Sequence, residues 1–224
     1  MSELLLSPVE ARVIAALAEK SITTPQYYPM SVNAVMLAAN QKSCRNPAMS
    51  LSEGDAGAAL NRLEQEKLCS RDDQSSRVTK WRQRFNHQLL LQPQPFAVLV
   101  TLMLRGPQTV AELRANAAGL GGPADADTVN KTLEDLADRA QPLVVLLPRA
   151  PGQKEARYAH TLCGKAGLSA QAVVEPAAPP PRETSGQASF EERLRALEAR
   201  VEELERRSPA PASGAPTEVE SPGE

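Results

Sequence analysis

A short basic segment holds the first side chains that could do binding chemistry. The segment RVTKWRQRF, residues 77–85, contains four cations, although the chain of 224 residues has a formal net charge of −2. Side chains alternate between the two faces of a strand, so Trp81 and Phe85 would face the core together. The opposite face would then carry Lys80, Arg82 and Arg84. Such a row could neutralise nucleic-acid phosphates, or it could be a charged edge strand that deters aggregation.

Four further cations of the predicted hairpins complete this candidate binding surface. Arg71 lies on the strand that faces the basic segment, and we expect it to join the row of cations. Arg77 begins the segment itself. A second hairpin, predicted near the end of the core, carries weaker equivalents at Lys154 and Arg157. All four are predicted phosphate contacts.

The segment NQKSCRNP supplies two more candidates, Lys42 and Arg45, directly after a predicted helix. Amides and cations at a helix end can contact phosphates or bases. They can also cap the helix and hold the following loop, because they satisfy its last carbonyl groups. The second interpretation is the favoured one, and both stay open at this stage.

Patterns typical of catalysis or metal binding are not found in the sequence. Cys44, Cys69 and Cys163 are odd in number and lack paired spacing, which indicates neither a disulfide framework nor a zinc site. His160 is expected to pack in the core, and His87 follows the first hairpin without a neighbouring nucleophile. We therefore predict no catalytic residue, no metal and no cofactor.

The same order of elements occurs twice in the first part of the chain. A helix capped by Ser7 is followed by an extended piece around residues 21–25, a second helix, a third helix capped by Ser52, and a hairpin. A similar series then repeats. The pattern predicts a mainly α fold with small β-hairpins, arranged as two tandem winged-helix domains over residues 1–88 and 89–168.

The third helix of each predicted domain is acidic. Residues 52–67 contain four acids and two cations, and residues 125–139 contain five acids and two cations. In helix-turn-helix proteins this helix normally enters the major groove. Acids in the first turn complement the helix dipole, but several of these lie late in the helix, where the dipole does not favour them. We therefore do not expect these helices to read DNA, and a basic protein partner becomes the alternative.

Composition separates the last part of the chain from the core. Residues 169–188 form a predicted Pro/Ala-rich linker, residues 189–207 a short coiled-coil helix, and residues 208–224 a disordered tail. The helix places apolar residues at heptad spacing, and these are the predicted dimerisation residues Leu194, Leu197, Val201 and Leu204. So short a coil would assist a dimer rather than create one, and it could instead fold back on the core.

Hydrophobic residues make up 42% of the chain, but none of its apolar runs approaches the 18 residues or so that a membrane helix needs. The start, MSELLLSPVEARV, does not have the pattern of a signal peptide. We therefore predict a cytoplasmic protein with no membrane contact.

Five separated motifs resemble one known family. They are YPMSVNAV, NQKSCRNPAMSLSE, RVTKWRQRF, LRGPQTVAELR and PGQKEARYAH, and they extend over most of the chain from Leu4 to His160. Together they resemble the YceH-like family of bacterial tandem winged-helix proteins of unknown function. The resemblance implies paired winged-helix domains and supplies no reaction, ligand or catalytic residue.

Two functions fit these observations. The first is a non-catalytic regulator that binds nucleic acid through its basic wings rather than its acidic third helices. The alternative is a dimeric adaptor that uses the acidic helices to bind a basic protein. Winged helices serve both purposes, so the fold does not choose between them.

Overall fold

The computed structural model describes residues 4–72, 78–149 and 152–164, and, in the late helix, residues 195, 198–200, 202–203 and 206. The described residues of the late helix are helical. The predicted linker, the predicted tail, Arg77 and the four predicted dimerisation residues lie outside the described residues. The chain divides into two compact units, Met1–Glu175 and Pro176–Glu224.

The first unit contains two successive series of elements, which we call the first and second halves. The first half consists of α1 (Pro8–Thr23), a 3₁₀ turn (Pro25–Tyr27), β1 (Met30–Ser31), α2 (Val32–Ala39), α3 (Glu53–Gln65), β2 (Cys69–Asp72), β3 (Lys80–Gln83) and α4 (Phe85–Gln88). The second half consists of α5 (Pro93–Arg105), α6 (Val110–Ala117), a 3₁₀ turn (Ala118–Leu120), α7 (Ala126–Ala137), β4 (Val144–Leu147) and β5 (Arg157–His160). The prediction of a mainly helical chain with small antiparallel hairpins is confirmed.

Side-chain caps fix where the main helices begin. Ser7 and Ser52 accept hydrogen bonds from the third residue of α1 and α3, as predicted, and an acidic side chain at that third residue bonds back to the cap. Thr109 and Glu112 form the same reciprocal pair at the start of α6. Each pair satisfies two backbone N–H groups that the helix leaves free.

Each half contains a small antiparallel sheet in which the last strand is central. In the first half the strand order is β1-β3-β2, with Trp81 opposite both Met30 and Arg71. In the second half β4 pairs with β5, and an isolated bridge joins Gln108 to Tyr158. This bridge takes the place that β1 has in the first sheet.

The predicted extended piece around residues 21–25 is wrong. The hydroxyl groups of Ser21 and Thr24 bond to carbonyl oxygens of the preceding turn, at 2.7 Å from Ala18 and 3.3 Å from Lys20. The α1 helix therefore continues to Thr23, and the first strand begins at Met30.

The helices α1 and α5 form the centre of the first unit. Residues 11–18 of α1 and 96–104 of α5 are all buried, and the two helices contact each other. The buried apolar core extends across both halves. The domain boundary at residue 88 stays a prediction.

Candidate functional site

The outward face of the first sheet brings three of the predicted cations together. Trp81 and Phe85 are buried, as the alternation predicts, while Arg82 and Arg84 are exposed and Lys80 is half-buried. Arg84 follows the end of β3, and its Nε donates to Ser70 Oγ at 3.3 Å. We call the surface formed by Lys80, Arg82 and Arg84 the basic face.

Arg82 is the member of the basic face with the most contacts. Its Nε lies 2.5 Å from Asp72 Oδ2, and its guanidinium carbon lies 5.8 Å from the centre of the Tyr28 ring. The Gln83 N–H donates to Tyr28 Oη, and burial raises the pKa of Tyr28 to about 12, so the phenol is neutral at pH 7. A partly exposed ion pair contributes about 0–1 kcal/mol, so a phosphate could compete for Arg82 at low cost.

The expectation that Arg71 joins this row is wrong. Arg71 lies directly opposite Trp81 in the sheet, and such cross-strand partners point to the same side. Its guanidinium carbon is 5.2 Å from the Trp81 ring centre, and its nitrogens reach Glu64 at 3.1 Å and Asn61 at 2.7 Å. Arg71 therefore ties β2 to α3.

Arg45 has a structural role, as the favoured interpretation of its segment predicts. Its side chain is fully buried and forms a two-nitrogen ion pair with Glu19, at 2.5 and 3.1 Å. It also donates to the Ala38 carbonyl and to Gln41 Oε1. Arg45 holds the loop after α2 and is not available to a phosphate, whereas Lys42 of the same segment is exposed.

Sequence reasoning missed a second buried arginine beside this pair. Arg12 donates to the carbonyls of Ala39 and Pro47, at 3.4 and 2.8 Å. Burial, and next the charge of Arg45, lower the pKa of Arg12 to about 10. The available signal was its place in α1, at helical spacing from Val9 and Ala16 on the apolar face.

The second hairpin does not present its cations as the first one does. Arg157 forms a two-nitrogen ion pair with Glu112, at 2.6 and 3.0 Å, and donates to the Pro107 carbonyl at 3.0 Å. Lys154 is exposed and borders a shallow groove of about 360 Å³ that Leu146 also lines. Only Lys154 of this predicted pair is open to solvent.

The two histidines do not form a site. His160 is buried, as predicted, and burial lowers its pKa to about 4, so it is neutral at pH 7. His87 is exposed. Among the described residues, no three His, Cys, Asp or Glu side chains are grouped so as to hold a metal ion. Within the same residues, no helix is both long and apolar enough to cross a bilayer.

The acidic third helices differ from each other. On α3, Glu64 pairs with Arg71, and Glu66 pairs with Arg62 at 3.2 Å. On and directly after α7, four exposed carboxylates have no ion pair within the described residues; these are Asp127, Glu134, Asp135 and Asp138.

Within the described residues, these features define a mainly helical protein with two small antiparallel sheets and a basic outward face on the first sheet. The chain belongs to the family described as "Protein of unknown function, DUF480", which matches residues 6–153. The resemblance to an uncharacterised bacterial family is thereby confirmed.

Three relatives of similar length are each named as a UPF0502 protein. The chain is 42% identical over 202 residues to UPF0502 protein GSU0233 of Geobacter sulfurreducens, covering 90% of this chain and 91% of that protein. It is 41% identical over 223 residues to UPF0502 protein Bcenmc03_4618 of Burkholderia orbicola, with 98% and 93% covered. With UPF0502 protein Bcep1808_3727 of Burkholderia vietnamiensis the identity is 48% over 164 residues, or 73% and 69% of the two chains. None of these three names states a reaction, ligand or partner.

Proposed function

We propose that this chain is a non-catalytic nucleic-acid-binding protein whose basic face contacts phosphates. The observation that carries the proposal is the shared outward face of Lys80, Arg82 and Arg84. Among the described residues, no ion pair joins Lys80 or Arg84 to a carboxylate. Two cations are thus available to a phosphate without breaking an ion pair between described residues, and Arg82 is available at small cost.

The order of the elements supports a winged-helix architecture for both halves. Each half runs helix, short extended segment, helix, helix, strand, strand, and the extended segment pairs with the last strand. In this architecture the hairpin is the wing and α3 would be the recognition helix. The carboxylates of α3 oppose entry into a groove, so backbone contact through the first wing is the more favourable mode.

The test is a fluorescence-anisotropy titration of a labelled 20-nucleotide DNA, both as a single strand and as its duplex, from 25 to 200 mM NaCl. The variant Lys80→Ala/Arg84→Ala removes two cations from the basic face. The matched control Arg114→Ala/Lys131→Ala removes two exposed cations of the second half.

We expect the wild type and the control to bind with the same salt dependence. The slope of log K against log salt should fall in the basic-face variant by about 1.4 for the single strand, or by about 1.8 for the duplex. No binding of either DNA at 25 mM NaCl would refute the proposal, and so would an equal loss in the control.

A protein adaptor is the second candidate, and the four unpaired carboxylates at α7 favour it. If neither DNA binds, the same assay with a labelled lysine-rich peptide tests this candidate directly. Binding should then be lost in the variant Glu134→Gln/Asp135→Asn/Asp138→Asn, because the attraction is electrostatic. Dimerisation through the late helix stays a prediction under both candidates.

A further inference from the structure

We infer that the basic face takes single-stranded rather than duplex nucleic acid, with Tyr27 as a stacking platform for a base. This inference rests on the proposed function and names the class of its ligand. It combines three features of the first half: the geometry of the cations, the two tyrosines that precede β1, and the charge of α3.

The cations follow one line along the central strand. Alternate residues of a strand are about 6.8 Å apart. The distance from Lys80 through Arg82 to Arg84 is therefore about twice that value. All three cations lie on one line, so a single phosphate backbone could meet them in turn without a second strand.

One aromatic side chain lies beside that line, and a second precedes it in the chain. The guanidinium carbon of Arg82 lies over the Tyr28 ring, at 5.8 Å from the ring centre. Tyr27 directly precedes Tyr28, at the end of the 3₁₀ turn that leads to β1, and 76% of it is exposed. Unpaired bases stack on tyrosine rings and on arginine planes, but the bases of a duplex are already stacked on each other.

The charge of α3 opposes a duplex more than a single strand. A duplex that reached α3 would bring its phosphates towards Glu53 and Asp55, which are exposed at the start of that helix. Glu64 and Glu66 near its end are already paired with Arg71 and Arg62, so those cations are partly neutralised. A single strand is flexible and can bend along β3 and away from α3. A duplex is rigid and cannot bend away from the helix in this way.

The experiment uses the full chain and one sequence in three forms: a 20-nucleotide DNA strand, its duplex, and the RNA strand of the same sequence. The informative variant is Tyr27→Ala. Tyr27→Phe is the conservative variant, because it retains the ring, and Leu90→Ala is the matched control, because Leu90 is an exposed side chain outside the first sheet.

We expect both single strands to bind more tightly than the duplex. Tyr27→Ala should weaken single-strand binding by about fivefold to hundredfold, the usual contribution of one stacked base. Tyr27→Phe and Leu90→Ala should leave it unchanged. The salt slope should be the same in all of these proteins, because none of the changes removes a charge. A preference for DNA over RNA, or the reverse, identifies which single strand fits.

The outcomes separate the two proposals. Equal or tighter binding of the duplex overturns this inference and leaves the proposed function standing. Single-strand binding that Tyr27→Ala does not weaken overturns the stacking role of Tyr27. Absence of binding by all three forms overturns both proposals.

Discussion

The two small sheets of this chain have the same pairing but opposite surfaces. In the first sheet, Trp81 lies opposite Arg71 of β2 and Met30 of β1. In the second sheet, Tyr158 lies opposite Leu146 of β4 and Gln108, which follows α5. By this register Arg82 corresponds to Ala159, which is fully buried. The outward face of the first sheet is therefore polar and cationic, whereas the equivalent face of the second is largely apolar and half-buried to buried, with Val145, Leu147 and Ala159 beside Arg157.

The comparison shows that the ion-pair partner of a cation, more than its position in the sheet, decides whether the cation is available to a ligand. Lys80 and Arg157 are equivalent by register, yet Arg157 is held by both oxygens of Glu112, a residue that also caps α6. Lys80 has no such partner among the described residues. A cation at the same strand position is thus exposed to a ligand in one half and used structurally in the other.

The largest predicted effect is the loss of stability when an arginine is removed from an ion pair in each half. Arg45→Met should lower the free energy of unfolding by about 3–5 kcal/mol, because it leaves the Glu19 carboxylate without its buried partner. Arg157→Met in the second half should cost about 1 kcal/mol, because Glu112 is 41% exposed and can be hydrated. Urea denaturation followed by circular dichroism measures both values. Equal costs would show that burial does not distinguish the two pairs.

A somewhat smaller effect concerns the pH dependence of stability, and it arises from His160 in the second half. His160 corresponds by register to Gln83, which does not titrate. Burial lowers the pKa of His160 to about 4, below the usual value of 6.5. The unfolded chain therefore binds the proton more readily, and stability is present above pH 6.5 and is lost as the pH falls towards 4. The full loss is roughly 3 kcal/mol.

The measurement for His160 is a series of urea denaturation curves between pH 4 and pH 7. Carboxylates also titrate in this range, so the informative quantity is the difference between the wild type and His160→Gln. We expect that difference to depend on pH below 6.5 and to be constant above it. A difference that does not vary with pH would mean that His160 binds a proton equally readily in the folded and unfolded states.

Local patterns in the sequence predicted some of these features and missed others for a physical reason. The caps at Ser7 and Ser52 and the inward direction of Trp81 follow from contacts a few residues apart. The pairing of Arg45 with Glu19 joins residues 26 positions apart, and no periodicity marks it. Arg45 and Glu19 become partners only because the fold brings the loop after α2 against α1.

The misplacement of Arg71 has a different cause. The direction of a side chain on β2 depends on how many residues the turn between β2 and β3 takes up, and a shift of one residue reverses every side chain of a strand. The sequence gives the alternation within β3 but does not fix the register between the two strands. The structure supplies that register, and with it the contact between Arg71 and Trp81.

The smallest effect tests this placement of Arg71. Arg71→Ala should cost about 1 kcal/mol of stability, because it removes a stacking contact with Trp81 and a partly exposed ion pair. It should leave the salt slope of nucleic-acid binding unchanged, although it removes a positive charge. The matched control is Leu146→Ala at the equivalent position of the second sheet; Leu146 is 51% exposed, so a change within about 0.5 kcal/mol is expected. A slope that falls by about 0.7 or more in Arg71→Ala would instead assign Arg71 a phosphate contact, and the basic face would then extend around the edge of β2.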